Sequence, residues 1–242
     1  MPTKPHLASR IIMEVLKKNH QHHQKTAALV FENGEVLWGY GLGAQTAVIG
    51  ELCFNTSQTG YQEALTDPSY TKQIINFTFP HIGIVGTNSE DEESNKIYAD
   101  GCIINQPTNF FSNWRAEHDL NTYFIKNNIP CLYGVDTRYL TKKLTNEGAL
   151  KVALIYFGKE KKNLDSLKDE IQKWSGLENL DLAQIVSTNK RYDWKKGTWS
   201  KKNINQIKKR FKVTCLDFGT KYNILRNLHQ FNLQPSVLNL SS

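Results

Sequence analysis

The chain has 242 residues, 39% of them apolar and 11% aromatic, with 30 Lys and Arg against 23 Asp and Glu for a net charge of +7. That length buries one good core and part of a second, since domains usually run ~100 to 200 residues. No apolar run approaches the ~18 residues needed to cross a bilayer and the first 25 residues lack the apolar core of a secretory signal, so a soluble, cytoplasmic protein with no membrane partner is expected. The four cysteines, Cys53, Cys102, Cys131 and Cys215, are widely spaced without a C-x-x-C pair, which excludes a sequence-local zinc site or disulfide framework and leaves reduced, mostly buried thiols. No metal site is expected.

Residues 1–25 read as a flexible extension with Lys17, Lys18, His20, His22 and His23. The histidines lack accompanying Cys or Asp, so metal binding there would be adventitious, and Glu14 with the scarcity of Ser and Arg argues against an organelle transit peptide. Order begins at Ala27. Two apolar runs, Ala27 to Phe31 and Val36 to Tyr40, flank Asn33-Gly34, a pairing that predicts a hairpin with a primed turn, in which both central residues take positive φ. Further strands are predicted at Val48 to Asn55, Gln73 to Phe79, Gly101 to Asn105, Pro130 to Gly134 and Lys151 to Tyr156. Helices are predicted over Asp119 to Asn127, with Leu120, Tyr123 and Phe124 on one face, and over Thr137 to Glu147, capped by Asp136 and ended by Gly148. Near Asn163 to Trp174, Leu164, Leu167, Ile171 and Trp174 repeat at helical spacing as a core stripe.

Between Lys190 and Lys212 ten Lys or Arg stand against the single acid Asp193, an excess larger than that of the whole chain, so the remainder is slightly acidic. A basic excess confined to one segment poor in apolar periodicity reads as a solvated linker, residues 186–212. Nucleic-acid binding, with Trp194 and Trp199 stacking on bases, is the charge-based runner-up. After it, Val213 to Phe218 predicts a strand, Lys221 to Phe231 a helix with Ile224, Leu225, Leu228 and Phe231 on one face, and Val237 to Leu240 a second strand. The fold class is therefore α/β: a strand-rich β/β/α domain over residues 26–185, then an incomplete doubly wound β-α-β start over 213–242.

Four strings stand out. Phe54-Asn55-Thr56-Ser57-Gln58-Thr59-Gly60-Tyr61-Gln62-Glu63-Ala64-Leu65-Thr66-Asp67-Pro68-Ser69-Tyr70 packs Asn, Thr, Ser and Gly into a tight polar turn that could present hydroxyls and N–H groups to a ligand. Pro80 to Asn88 follows, then the acids Glu90 to Glu93, which as a run of carboxylates read as a solvated face or helix start. Val135-Asp136-Thr137-Arg138-Tyr139-Leu140-Thr141 and Asp217-Phe218-Gly219-Thr220-Lys221-Tyr222-Asn223-Ile224-Leu225-Arg226 complete the set. His81 reads as a packed loop residue, and Lys221 and Arg226 either contact the neighbouring domain or flank a helix. In order and content the four strings resemble the small subunit of carbamoyl-phosphate synthase, over roughly residues 27 to 240. Ile84 where that family generally has Asn, and Leu150-Lys151-Val152 before a strand, are departures.

The resemblance implies a cysteine-type class I glutamine amidotransferase, in which a thiolate attacks the glutamine amide, a histidine moves the proton and ammonia passes to a large subunit. That partner consumes ATP and Mg to make carbamoyl phosphate for arginine and pyrimidine synthesis; no cofactor is expected in this chain. Of the family's glutamine contacts, Ser57 is the one that maps here. No G-x-C-x-G-H elbow is present, so no catalytic residue is assigned and the isolated chain is expected to be inactive. The first domain would dock on the large subunit through polar loops and exposed β edges. The alternative is a non-catalytic remnant or docking module from a split or decaying gene.

Overall fold

The computed structural model describes residues 25–108, 110–158, 163–178, 180–200 and 211–239. The expected extension lies outside these residues except for Lys25, as do 201–210 of the basic segment and the last three residues.

Seven strands close into a barrel: β1 (Ala27–Phe31), β2 (Val36–Gly43), β3 (Ala47–Asn55), β4 (Gln73–Phe77), β5 (Gly101–Ile104), β6 (Pro130–Tyr133) and β7 (Leu150–Tyr156), in the order β1-β2-β6-β5-β4-β3-β7. Strands β3, β4, β5 and β6 pair in parallel, which requires crossovers, and the remaining pairings are antiparallel. Helix α1 (Tyr61–Thr66) lies in the β3 to β4 crossover and α2 (Leu120–Lys126) in the β5 to β6 crossover. Helix α3 (Thr137–Glu147) precedes β7 and α4 (Leu164–Lys173) follows it. The protein is thus mixed α/β.

The pleat explains the packing. Ala27, Leu29 and Phe31 point inward to meet Leu52, Ile74, Ile103, Leu132 and Leu154, with Leu140 and Leu144 of α3 against the same cluster. Ala28 and Val30, on the other face of β1, are covered by Leu167 and Ile171 of α4. Ile75, Cys102, Ile104 and Cys131 face outward beneath Leu65 of α1 and Phe124 of α2. Each strand of this kind is buried on both faces, so β1 reads as continuous apolar sequence instead of alternating. Asp136 caps α3 as expected, and Asp119 and Asn163 cap α2 and α4 in the same way.

Two expectations are corrected. The β1–β2 turn is not primed: Gly34 alone takes positive φ (88°), while Asn33 keeps the ordinary sign. Its Oδ1 instead accepts from Glu35 N at 2.9 Å, and Gly34 N donates to Phe31 O at 2.9 Å, a tight turn closed by one left-handed glycine. Exposed β edges cannot serve as docking elements of the first unit either, because closure leaves its strands no free edge.

A short helix α5 (Leu182–Val186) leads to a three-stranded sheet in the order β8 (Tyr192–Asp193), β10 (Leu233–Leu238), β9 (Phe211–Leu216), with α6 (Tyr222–Gln230) joining the parallel strands β9 and β10. Part of the stretch expected to be a solvated linker is therefore in the sheet, and Trp194 is buried against Tyr222 with ring centroids 4.7 Å apart. Among the described residues no helix is long and apolar enough to cross a membrane.

The two units are clamped by the acidic run, which is not the solvated face it resembled. Glu93 is buried. Helix α6 has no side-chain cap of its own. Glu93 supplies one from the barrel unit: its Oε2 accepts from Asn223 N at 2.8 Å, its carbonyl from Tyr222 N at 2.9 Å, and its Oε1 from Arg226 Nη1 at 3.3 Å. Arg226 Nη2 donates further to Glu90 O and Glu92 O at 3.0 and 2.7 Å. Lys221 meets Asp67 at 2.6 Å, and Gly219, at φ 93°, sits where a Cβ would come within 2.7 Å of Val186 and 3.1 Å of Pro68. Both residues left open by the sequence, Lys221 and Arg226, therefore contact the neighbouring unit.

Replacing Glu93 by Ala takes the carboxylate from Arg226 and strands the Asn223 N–H, while the main-chain bond from Tyr222 N remains, and we expect the docking of α6 to lose about 2 to 3 kcal/mol. Amide exchange over residues 222–230 should accelerate about 30-fold or more while β1 and β7 stay protected; equal acceleration in both units would refute a local clamp. The Asp67 hydrogen bond raises the Lys221 pKa against the opposing effect of burial. A raised lysine contributes its full stabilisation below the ordinary range near ~10.4 and loses it as pH rises through the folded value. The urea midpoint of the chain should then fall toward that of Lys221→Met above about pH 10.5, and a constant gap between the two would contradict the pairing.

Candidate functional site

Ser57 lies in the exposed loop between β3 and α1. The loop starts where β3 runs out at Asn55, whose partner across the sheet is Phe77. Asn55 Oδ1 accepts from Ser57 N at 2.8 Å, an Asx turn that redirects the chain, and Asn55 Nδ2 donates to the Tyr70 hydroxyl at 3.2 Å. The loop ends at Gly60, whose φ of 81° opens α1 without a side-chain cap. The backbone at Ser57 is thus fixed by its neighbours, while the Ser57 hydroxyl makes no hydrogen bond among the described residues.

Helix α1 fastens the second string to the first. Gln62 is buried and brackets Asn88, with Nε2 donating to Asn88 O and Oε1 accepting from Asn88 N at 3.0 Å. The Tyr61 hydroxyl donates to Gly86 O. Thr66 Oγ1, at the end of α1, donates to Gln62 O at 2.9 Å and accepts from Glu93 N at 2.8 Å, so the acid that caps α6 is itself hung on α1. The other acids are also engaged: Arg115 reaches Asp91 at 2.6 Å and Glu90 at 3.2 Å, and Tyr123 donates to Glu92 at 3.2 Å. His81 is exposed, edge-on to Phe79.

The third string joins at the end of β4. Asn76 Nδ2 donates to Thr137 O at 2.9 Å and to Thr141 Oγ1 at 3.0 Å, and Thr78 N donates to Asn55 O at 2.9 Å, so α3 starts beside the strand end that leads to Ser57. Strings distant in sequence converge on α1 and the ends of β3 and β4, although Ser57 makes no hydrogen bond to the described residues of the C-terminal unit. Asn55, Gln62, Asn88 and Asp217 were not singled out from sequence as site-shaping residues. The Asn55-x-Ser57 and Asp217-x-Gly219 spacings, both Asx turns here, were the available signal.

All four cysteines lie within strands: Cys53 in β3, Cys102 in β5, Cys131 in β6 and Cys215 in β9. Burial pushes the Cys53 thiol up to about 12, holds Cys102 well above its ordinary value and raises Cys215. Among the described residues no group of His, Cys, Asp and Glu side chains is arranged to hold a metal ion.

Residues 29–154 match the family model described as carbamoyl-phosphate synthase small chain, CPSase domain. Three proteins each named carbamoyl phosphate synthase small chain are similar along most of the sequence. That of Zymomonas mobilis subsp. mobilis is 41% identical over 217 residues, covering 87% of this chain and 57% of its own length. That of Photobacterium profundum is 43% identical over 213 residues, covering 84% and 54%. That of Bartonella henselae is 44% identical over 211 residues, covering 84% and 53%. The chain spans about half the length of the curated relatives it matches. Among solved structures, an aminopeptidase from Aneurinibacillus sp. strain AM-1 overlays 55% of this chain and 30% of its own at 16% identity and a TM-score of 0.35, from which nothing follows. Shared identity above 40% along most of the sequence, together with a family model spanning the barrel, leads to one conclusion: the chain belongs to the carbamoyl-phosphate synthase small chain family.

Proposed function

We propose that the chain acts as part of the glutamine-handling small subunit of a carbamoyl-phosphate synthase, with Ser57 contacting glutamine. Residues 26–185 form its docking domain, 186–212 a connection, and 213–242 the beginning of a doubly wound class I amidotransferase domain. The observation that carries this reading is the Ser57 turn, whose backbone is braced by Asn55 and Tyr70 while its hydroxyl is left available to a ligand. In that role Ser57 orients glutamine and does not cleave it. A hydroxyl without a paired base is a weak nucleophile, and the thiols of Cys53, Cys102 and Cys215, held within strands and raised by burial, do not stand in for an activated thiolate. Ammonia would be used by a large subunit that binds ATP and Mg, serving arginine and pyrimidine synthesis.

Docking on the large subunit is supported by an exposed apolar surface in place of the strand edges. Ile84, Val85, Phe110, Phe111 and Trp114 are all exposed, Phe110 and Trp114 at 72% and 78%, and Trp199 lies 6.2 Å from Trp114 with Arg115 against its ring. Aromatic side chains and Arg at a surface of this kind are the residue types that carry protein interfaces.

The purified chain should release no ammonia from glutamine, alone or with the large subunit, and Cys215→Ser should change nothing. Ammonia release abolished by that substitution would place the nucleophile in this chain and overturn the assignment. Co-purification with the large subunit at micromolar concentration is expected, and Phe110→Ser with Trp114→Ser should weaken it about tenfold or more. Undiminished association would move the docking surface elsewhere, whereas no association by the unaltered chain would favour the remnant reading.

A further inference from the structure

Where α5, the sheet and the barrel unit meet there is a cleft of about 410 Å³, and Ser57 is not among its lining residues. Lys96 and Tyr98 line it from the barrel unit, Thr188, Lys190 and Tyr192 from the connection, and Asp217 and Tyr222 from the C-terminal unit. It opens just beyond Leu216, the carboxyl end of β9, which is where ligands sit in open α/β sheets, and its size falls in the range of small-molecule sites.

The lining is rich in donors and cations. Asp217, the buried carboxylate in it, is spent on main-chain N–H groups: Oδ1 accepts from Gly219 and Thr220 at 3.0 and 2.8 Å, and Oδ2 from Thr188 at 2.6 Å. Lys96 and Lys190 form no ion pair among the described residues; Asp100, whose charge Lys96 also feels, is paired with Lys72 at 3.6 Å. The hydroxyls of Tyr192 and Tyr222 make no hydrogen bond among the described residues, and that of Tyr98 reaches Val186 O only at 3.5 Å. Burial raises all three phenols, Tyr192 to about 12, so at neutral pH they remain O–H donors.

We propose that this cleft binds a small phosphate monoester, its dianionic phosphate held by Lys96, Lys190 and the tyrosine hydroxyls and its organic body filling the remaining volume. Two ammonium groups stand against one carboxylate, Asp217, whose oxygens already accept from main-chain N–H groups, and phosphate brings three strong acceptor oxygens to the lysines and hydroxyls. Contact with both units makes the ligand a bridge, so binding also stabilises the docked arrangement.

Calorimetric titration of the full chain with glycerol 3-phosphate, inorganic phosphate and malonate, at constant ionic strength, tests this without glutamine or a second subunit. We expect saturable one-to-one binding of the monoester, weakened about tenfold or more by Lys96→Gln with Lys190→Gln and severalfold by Tyr192→Phe. Lys142→Gln, an exposed lysine on α3, should leave it unchanged. The proposal fails if no phosphate compound saturates by about 10 mM, if Lys142→Gln weakens binding equally, or if malonate binds as tightly. Binding of inorganic phosphate without the ester would also overturn it.

Discussion

A helix whose first turn is capped by a carboxylate from another folding unit cannot move independently of that unit. Helix α6 begins with N–H groups that no side chain of its own caps, at the positive end of its dipole. Glu93 meets that need and at the same time neutralises Arg226, one turn into the helix. The arrangement survives burial because every partner is answered: Glu93 N goes to Thr66, and both Arg226 Nη2 bonds end on carbonyls of the same acidic loop. Thr66 closes α1, and the turn that carries Ser57 opens it. The C-terminal unit and the Ser57 loop are therefore both referenced to one six-residue helix.

What could be read from the sequence was local. The cap at Asp136, the stripes of α2, α3 and α4, and the apolar run of β1 depend on neighbours a few residues away, and the structure has them where the spacing put them. Barrel closure was not legible, because it rests on β7 pairing with both β1 and β3, more than 90 residues upstream. The acidic run failed for the same reason. Four carboxylates in a row look solvated until Arg115 and Arg226, distant in sequence, arrive beside them. The primed turn expected at Asn33-Gly34 is absent because Asn33 uses its side chain to satisfy Glu35 N and so has no need of positive φ. Ser57 stood out only through the family resemblance; a polar turn alone does not distinguish a ligand contact from a loop that hydrogen-bonds itself.

The barrel explains why reactive groups are missing from its interior. That interior is filled by aliphatic and aromatic side chains, and on the outward face burial holds the Cys102 thiol well above its ordinary value. The polar chemistry is displaced to the ends of β3 and β4, where Asn55, Asn76 and Thr78 organise the turn, and to the junction with the C-terminal unit, where Asp217 gathers three main-chain donors.

Ser57 and the interdomain cleft flank the same helix: Ser57 lies before α1, and Pro68, which lines the cleft, lies just after it. A helix of six residues is about 9 Å long, so two ligands bound at its ends would be close neighbours. Proximity alone is not communication, which needs an element with two packed arrangements. Gly219, wedged between Pro68 and Val186 with no room even for a Cβ, and Lys221, locked to Asp67, admit one seating of α6 against that end of α1. The junction is built as a fixed spacer, and occupation of the cleft would reinforce the seating that the Glu93 cap already selects instead of switching it.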